Sequence, residues 1–234
     1  MAAGDAGGDP RSVAAAGRDS PRAAVTRVRA LDRSPVGRRF ASALVITAYL
    51  VGVKAAQMAW WPDPGGQTAV PGLVRQVVLA TGLFGLLAMR VGFGSAVAAA
   101  GLLLRAGRGS LLVLAGVALL LGAVGAPPGL SLVNLVVVTA VGEEVLFRGL
   151  LPALVHSTQF PSRVTTFGPA LAFGLWHFPD AWPSGPLVAA GVVLGTTSAA
   201  LVLFEPLRRR FDSVFAPAAA HALVNGAGLL VVAW

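Results

Sequence analysis

Residues 136–151 read VVVTAVGEEVLFRGLL, and this stretch decides both the class of fold and where the chemistry is expected. Two glutamates and an arginine interrupt an apolar run of the kind that forms membrane spans. An ionisable side chain within a span costs roughly 3 kcal/mol or more unless it is paired or faces a water-filled cavity. Glu143, Glu144 and Arg148 are therefore candidates for a functional role.

The composition of the whole chain indicates a membrane protein. Of its 234 residues, 56% are hydrophobic and only 12% are charged. Apolar runs of about 18 residues recur along most of the chain, as in transmembrane helices. We predict an all-α, polytopic bundle of about seven spans (six to eight), at residues 40–61, 72–92, 109–126, 131–155, 164–179, 186–204 and 213–234. The glycine-broken stretch 93–108 is compatible with an interfacial helix or with the start of a longer third span.

The first 38 residues differ from the rest of the chain. They are rich in Ala, Gly, Arg, Asp, Pro and Ser and contain few large apolar side chains, which predicts a disordered, basic cytoplasmic tail. The start of the chain lacks the pattern of a signal peptide, so we expect an uncleaved first span. Residues 39–234 are then the transmembrane domain.

The net charge of +8 reflects membrane topology rather than a nucleic-acid partner. Eight of the 18 basic residues precede the first predicted span. Alternate loops hold most of the others, namely Arg90, Arg105, Arg108, Arg163, Arg208, Arg209 and Arg210. The opposite loops, WPDPGGQTAVPG, GAPPG and DAWPSGP, contain no Lys or Arg. This alternation predicts a multi-pass protein of the plasma membrane, in contact with a lipid bilayer and with a cytoplasmic N-terminus.

Residue usage narrows the source and the chemistry. Arginine is used almost to the exclusion of lysine, with Lys54 as the only lysine, which is typical of a GC-rich bacterial genome. The absence of cysteine from the sequence excludes disulfides, iron–sulfur clusters and thiolate catalysis.

Helical spacing gives the two glutamates different surroundings. A helix advances about 100° per residue, so Glu143 and Glu144 point in different directions. Glu144 and Arg148 are four residues apart and share a face, as in a helical ion pair. This spacing predicts that Arg148 neutralises Glu144 and leaves Glu143 free to face a polar cavity. In the alternative interpretation, all three form a buried network that only fixes helix packing.

Two further spans carry polar residues at helical spacing. Phe173 and His177 share one face of the fifth predicted span, and His221 and Asn225 share one face of the seventh. A carboxylate and an imidazole that hold the same water can act as general bases. A histidine and an asparagine can donate hydrogen bonds to a developing oxyanion. With Glu143, these groups would suit the attack of water on an amide carbonyl.

At these residues the chain resembles the CPBP family of intramembrane endopeptidases, also called the CAAX protease and bacteriocin-processing, or Abi, family. That family shows EExxxR, FxxxH and HxxxN or HxxxD in three separate transmembrane helices. Residues 143–148, 173–177 and 221–225 match these motifs in order. The resemblance covers about residues 105–234, which are then the protease-like core of the chain.

The resemblance implies a membrane-embedded, water-filled active site in which a glutamate and a histidine activate a water. It implies that the catalytic residues are Glu143, His177, His221 and Asn225, and that Glu144, Arg148 and Phe173 support them. In this scheme Glu143 and His177 act on the water, while His221 and Asn225 stabilise the oxyanion.

Metal dependence has two interpretations. Glu143, His177 and His221 could be the three protein ligands of a catalytic zinc that keeps one open position. However, the HExxH spacing is absent, and Glu143 is not available as a ligand if it is the base. The sequence therefore favours a metal-free mechanism with no cofactor, with zinc as the alternative.

Three functions are compatible with these residues. The leading hypothesis is an endopeptidase that hydrolyses a peptide bond in a membrane-associated protein or peptide, prenylated or not. The second is a non-enzymatic membrane scaffold or bacteriocin immunity factor. The third is a proton-coupled transporter with Glu143 and Glu144 as the relay. The sequence shows no internal repeat, which counts against the transporter.

Overall fold

A computed structural model describes residues 36–60, 69–104, 108–123, 132 and 134–232, and every secondary-structure element in these ranges is helical. The predicted all-α class is therefore confirmed for the described residues. The predicted tail lies outside them apart from residues 36–38, which already belong to the first helix.

Eight helices follow one another along the described ranges. They are α1 (Val36–Trp60), α2 (Ala69–Val91), α3 (Phe93–Leu103), α4 (Arg108–Ala123), α5 (134–157), α6 (Ser162–Ala181), α7 (Pro186–Phe211) and α8 (Phe215–Val232). A short 3₁₀ turn, Trp182–Ser184, connects α6 to α7.

Three of these helices are long and apolar enough to cross a membrane, over Arg39–Ala59, Gly72–Val91 and Pro186–Phe211. Their outer faces are strongly apolar, since Met89 is 78% exposed and Leu187 is 87% exposed. Large apolar side chains in such positions are expected to contact lipid. The chain is therefore a helical membrane protein, and its seven-span arrangement remains a prediction.

The stretch 93–108 contains a separate helix. Gly92 has a φ of 86°, a left-handed conformation that ends α2 and suits glycine. Helix α3 then begins at Phe93 and ends at Leu103, before α4 starts at Arg108. The described residues of this stretch thus form a helix of their own, and both interpretations of it stay predictions.

The arginine run 208–210 is helical, whereas the sequence pattern placed it in a loop. Helix α7 continues through a π-helical turn, Ala200–Phe204, and ends at Phe211. Asp212, with a φ of 46°, is the left-handed residue that ends the helix. Basic residues in the last turn are favourable because they complement the negative end of the helix dipole. The predicted span 186–204 therefore ends before the helix, which continues to Phe211.

The helices around α5 position the site. Helix α5 packs against α2, α6 and α8, and α6 packs closely against α7. At Gly174 the approach is so close that a Cβ atom would lie 2.7 Å from the backbone oxygen of Val193. This contact fixes α6 one turn before His177.

Candidate active site

The helix that carries the two glutamates is irregular at the glutamates. Residues Asn134–Val141 and Val145–Leu150 are π-helical, and the short α-helical segment Gly142–Glu144 lies between them. π-Helical turns are rare and occur frequently at functional sites. The backbone therefore singles out the same part of α5 as the sequence does.

Glu143 occupies the centre of a polar cluster, with its side chain only 4% exposed. Its Oε2 atom lies 3.6 Å from Nε2 of His177 and 3.9 Å from Nε2 of His221. Its Oε1 atom lies 3.9 Å from Nη2 of Arg75. One carboxylate oxygen therefore faces two imidazoles, and the other faces a guanidinium group.

Glu144 links two helices and is fully buried. Its Oε2 atom lies 3.2 Å from Nε of Arg148, on the same helix. Its Oε1 atom lies 3.0 Å from Nδ1 of His221, a residue 77 positions later in α8. Glu144 therefore contacts both the arginine that helical spacing pairs with it and a histidine that spacing could not have identified.

Hydrogen bonds fix the orientation of both histidine rings. The Nδ1–H group of His177 donates to the backbone oxygen of Phe173 at 2.8 Å, and that of His221 donates to Glu144. These partners can only accept, so Nδ1 carries the proton and a neutral ring has a lone pair at Nε2. In a neutral ring Nε2 therefore faces Glu143 as an acceptor, and in a protonated ring it faces Glu143 as a donor. A water molecule, which has two donor hydrogens, is suited to bridge Glu143 and His177.

Phe173 connects the charged and imidazole groups of the site. The side chain is 1% exposed, and the guanidinium carbon of Arg148 lies 4.0 Å from its ring centroid. Its ring makes edge contacts with His177 and His221, at centroid distances of 4.7 and 5.6 Å. A cation over an aromatic face is attracted by the ring quadrupole. Phe173 thus supports Arg148 and both histidines by packing.

The structure brings together five of the predicted polar residues, namely Glu143, Glu144, Arg148, His177 and His221, through the contacts just described. Asn225 lies one turn after His221 on α8 and is half-buried. Among the described residues, no hydrogen bond or ion pair joins the Asn225 side chain to this cluster. Asn225 is therefore placed near the cluster without being linked to it.

Helix α2 adds two residues that the sequence analysis did not assign to the site, Arg75 and Gln76. Arg75 faces Glu143. Gln76 is 6% exposed, and its Cγ atom lies 3.1 Å from the position that a Cβ atom on Gly142 would take. The available signal was an ionisable residue, Arg75, inside an apolar span. No spacing rule connected it with Glu143.

A buried tryptophan lies close to two cations beside the site. Trp176 is 5% exposed, with Nζ of Lys54 at 4.7 Å and the guanidinium carbon of Arg75 at 5.8 Å from its ring. Lys54 also forms an ion pair with Asp180 at 2.6 Å. Both cations lie within the distance at which an aromatic ring attracts a positive charge.

The zinc alternative can be compared with the donor groups present. Within the described residues, no group of three or more His, Cys, Asp or Glu side chains is arranged to hold a metal ion. The Nε2 atoms of His177 and His221 lie 3.6 and 3.9 Å from one carboxylate oxygen of Glu143. Separations of this size are not far from those between the donors of a tetrahedral zinc, so the metal-free mechanism stays a prediction, with zinc as the alternative.

Comparison with known proteins gives a family match over the segment that contains the three motifs. Residues 125–227 match the model of the family described as type II CAAX prenyl endopeptidase Rce1-like. No curated protein and no solved structure matches the chain. The matched segment contains all three motifs and confirms the resemblance to the CPBP family. The match covers less than half of the chain and is consistent with the CPBP family, whose Rce1-like description is that of a peptidase.

Proposed function

We propose that this protein is an intramembrane glutamic endopeptidase that hydrolyses a peptide bond in a membrane-associated protein or peptide. The observation that carries the proposal is the pairing of Glu143 with His177. A buried carboxylate oxygen and an imidazole nitrogen face each other across 3.6 Å, and with a neutral imidazole both are acceptors. This pair can hold a water by its two hydrogens and leave its oxygen lone pairs available for attack.

In the first step, the water oxygen attacks the scissile carbonyl carbon while Glu143 takes one proton. A C–O bond forms, and the carbonyl oxygen acquires negative charge in a tetrahedral intermediate. His177 keeps the water oriented by accepting its second hydrogen at Nε2. A positioned base of this kind contributes about 10²–10⁴-fold to the rate.

In the second step, the C–N bond breaks and the leaving amine takes a proton from Glu143. In this scheme His221 carries a proton on both ring nitrogens from the first step on. Its Nδ1–H group donates to Glu144, and its Nε2–H group donates to the oxyanion. The Asn225 amide, one turn away, is proposed as the second donor. Loss of one such donor typically lowers kcat by about 10²–10³-fold.

The proposed setting is the plasma membrane of a bacterium, with seven spans and a cytoplasmic N-terminus. Helices α1, α2 and α4–α8 coincide with the seven predicted spans, and α3 is left as an interfacial helix. Helix α5 carries three charges, but Glu143, Glu144 and Arg148 are each at most 3% exposed. Its lipid-facing surface is therefore free of these charges, which is the arrangement that a membrane span requires.

The test uses purified protein in liposomes with a membrane-tethered peptide, prepared in a prenylated and in an acylated form. We expect hydrolysis at one peptide bond, with product masses that sum to the substrate plus one water. Cleavage of the prenylated form alone would assign the substrate class that the family description names. Intact peptide in both forms, with protein shown to be folded by a cooperative thermal transition, would reject the proposal in favour of a scaffold.

A further inference from the structure

Gln76 has a buried side-chain amide that the mechanism above does not use. The residue is 6% exposed. Neither Nε2 nor Oε1 of its side chain has a hydrogen-bond partner among the residues that the structure describes. Its side chain lies against Gly142, the residue before Glu143. Its neighbour in the chain, Arg75, reaches Glu143 itself.

An unpartnered amide in this position is unfavourable for the protein alone. Burial of a polar group without a hydrogen bond destabilises the folded state, and an apolar side chain of similar shape is often neutral or stabilising. The amide offers two donor hydrogens and one acceptor oxygen. This set is complementary to a peptide group, whose carbonyl accepts and whose N–H donates.

We propose that Gln76 is a substrate-binding residue whose side-chain amide hydrogen-bonds the backbone of the substrate beside the scissile bond. This inference rests on the proposed endopeptidase function. It extends the active site to α2, which lies outside the segment 125–227 that matches the family.

The contact also defines the conformation of the substrate. A peptide group within a helix already has its hydrogen bonds made inside that helix. A backbone that pairs with Gln76 is therefore extended or unwound at the cleavage site. Recognition through the backbone selects for this conformation and not for a particular side chain.

The test compares Gln76→Met with wild type on the tethered peptide. Met has a similar length and no hydrogen-bonding amide, so we expect kcat/KM to fall about tenfold. The thermal midpoint of the ligand-free variant should stay the same or rise, because the unpartnered amide is gone. The matched control is Gln57→Met on α1, where the side-chain oxygen is also buried without a described partner; its kcat/KM should equal that of wild type.

A second measurement separates binding from a structural effect. Peptide bonds flanking the scissile bond are replaced one at a time by esters, which removes one N–H donor and weakens the adjacent carbonyl acceptor. For wild type, we expect kcat/KM to be about tenfold lower on one ester substrate than on the all-amide peptide. For Gln76→Met, we expect kcat/KM to be the same on that ester and on the all-amide peptide. A purely structural Gln76 would give the same ester effects in both proteins, with a lower thermal midpoint in the variant.

The outcomes distinguish the two proposals. Wild-type protein that cleaves neither tethered peptide rejects the endopeptidase function. Wild-type cleavage together with unchanged kcat/KM in Gln76→Met rejects only the role of Gln76.

Discussion

Arg148 is the nearest cation to a carboxylate that has no exposure to solvent. Its Nε atom lies 3.2 Å from Oε2 of Glu144, with side chains 3% and 0% exposed. Arg148→Met removes the charge while it keeps an unbranched chain that can pack on Phe173. Glu144 is then left with His221 Nδ1–H as its described hydrogen-bond partner.

The expected loss of stability is large. Removal of one partner of a buried ion pair costs about 3–5 kcal/mol. Loss of the cation over the Phe173 ring, at 4.0 Å, adds roughly 1 kcal/mol. A loss of this size lowers the thermal midpoint by on the order of 10 °C in a chain of this length. Tryptophan fluorescence of the purified protein in detergent measures the transition.

A double variant separates the effect of the Glu144–Arg148 ion pair on stability from the effect of side-chain packing. Glu144→Gln combined with Arg148→Met removes both charges, so the thermal midpoint should recover relative to Arg148→Met alone, with a coupling of about 2 kcal/mol. The control is Arg209→Met. Its side chain is 58% exposed, and its pair with Glu205 is worth about 0–1 kcal/mol. If the loss of unfolding free energy in the double variant equals the sum of the losses in the two single variants, Arg148 does not neutralise Glu144.

Two other predictions concern helix packing and metal dependence. Gly174→Ala places a Cβ atom 2.7 Å from the backbone oxygen of Val193. This substitution should lower the free energy of unfolding by about 1–3 kcal/mol. Gly168→Ala in the same helix meets only an ordinary contact at 3.9 Å and should not lower the thermal midpoint. Treatment with EDTA and 1,10-phenanthroline should leave peptide cleavage unchanged. Cleavage that is lost on chelation and restored by zinc would instead favour the zinc alternative.

Local patterns in the sequence were sufficient for the parts of the site that lie within one helix. The i, i+4 spacing of Glu144 and Arg148 predicts their contact because both lie on α5. The three apolar segments around the motifs predict α5, α6 and α8. Hydropathy could not predict the end of α7. The apolar pattern stops before the last turn, which contains charged residues such as Arg210 and is still helical.

Contacts between helices could not be derived in this way. The bond from Glu144 to His221 joins residues 77 positions apart, and periodicity carries no information on how two helices rotate against each other. The π-helical turns on both sides of Gly142–Glu144 also alter the angle between successive side chains. A regular helical wheel therefore does not describe this part of α5. Arg75 was visible as an intramembrane charge, but only the packing of α2 on α5 connects it with Glu143.

The claim that Glu143 is the base is tested most directly by one comparison, the kcat/KM of Glu143→Gln against wild type. Gln keeps the size of the side chain and cannot accept the proton from water. We expect kcat/KM on the tethered peptide to fall about 10²–10⁴-fold, with a cooperative thermal transition retained in the variant. A folded Glu143→Gln protein whose kcat/KM lies within about threefold of wild type would show that Glu143 is not the base.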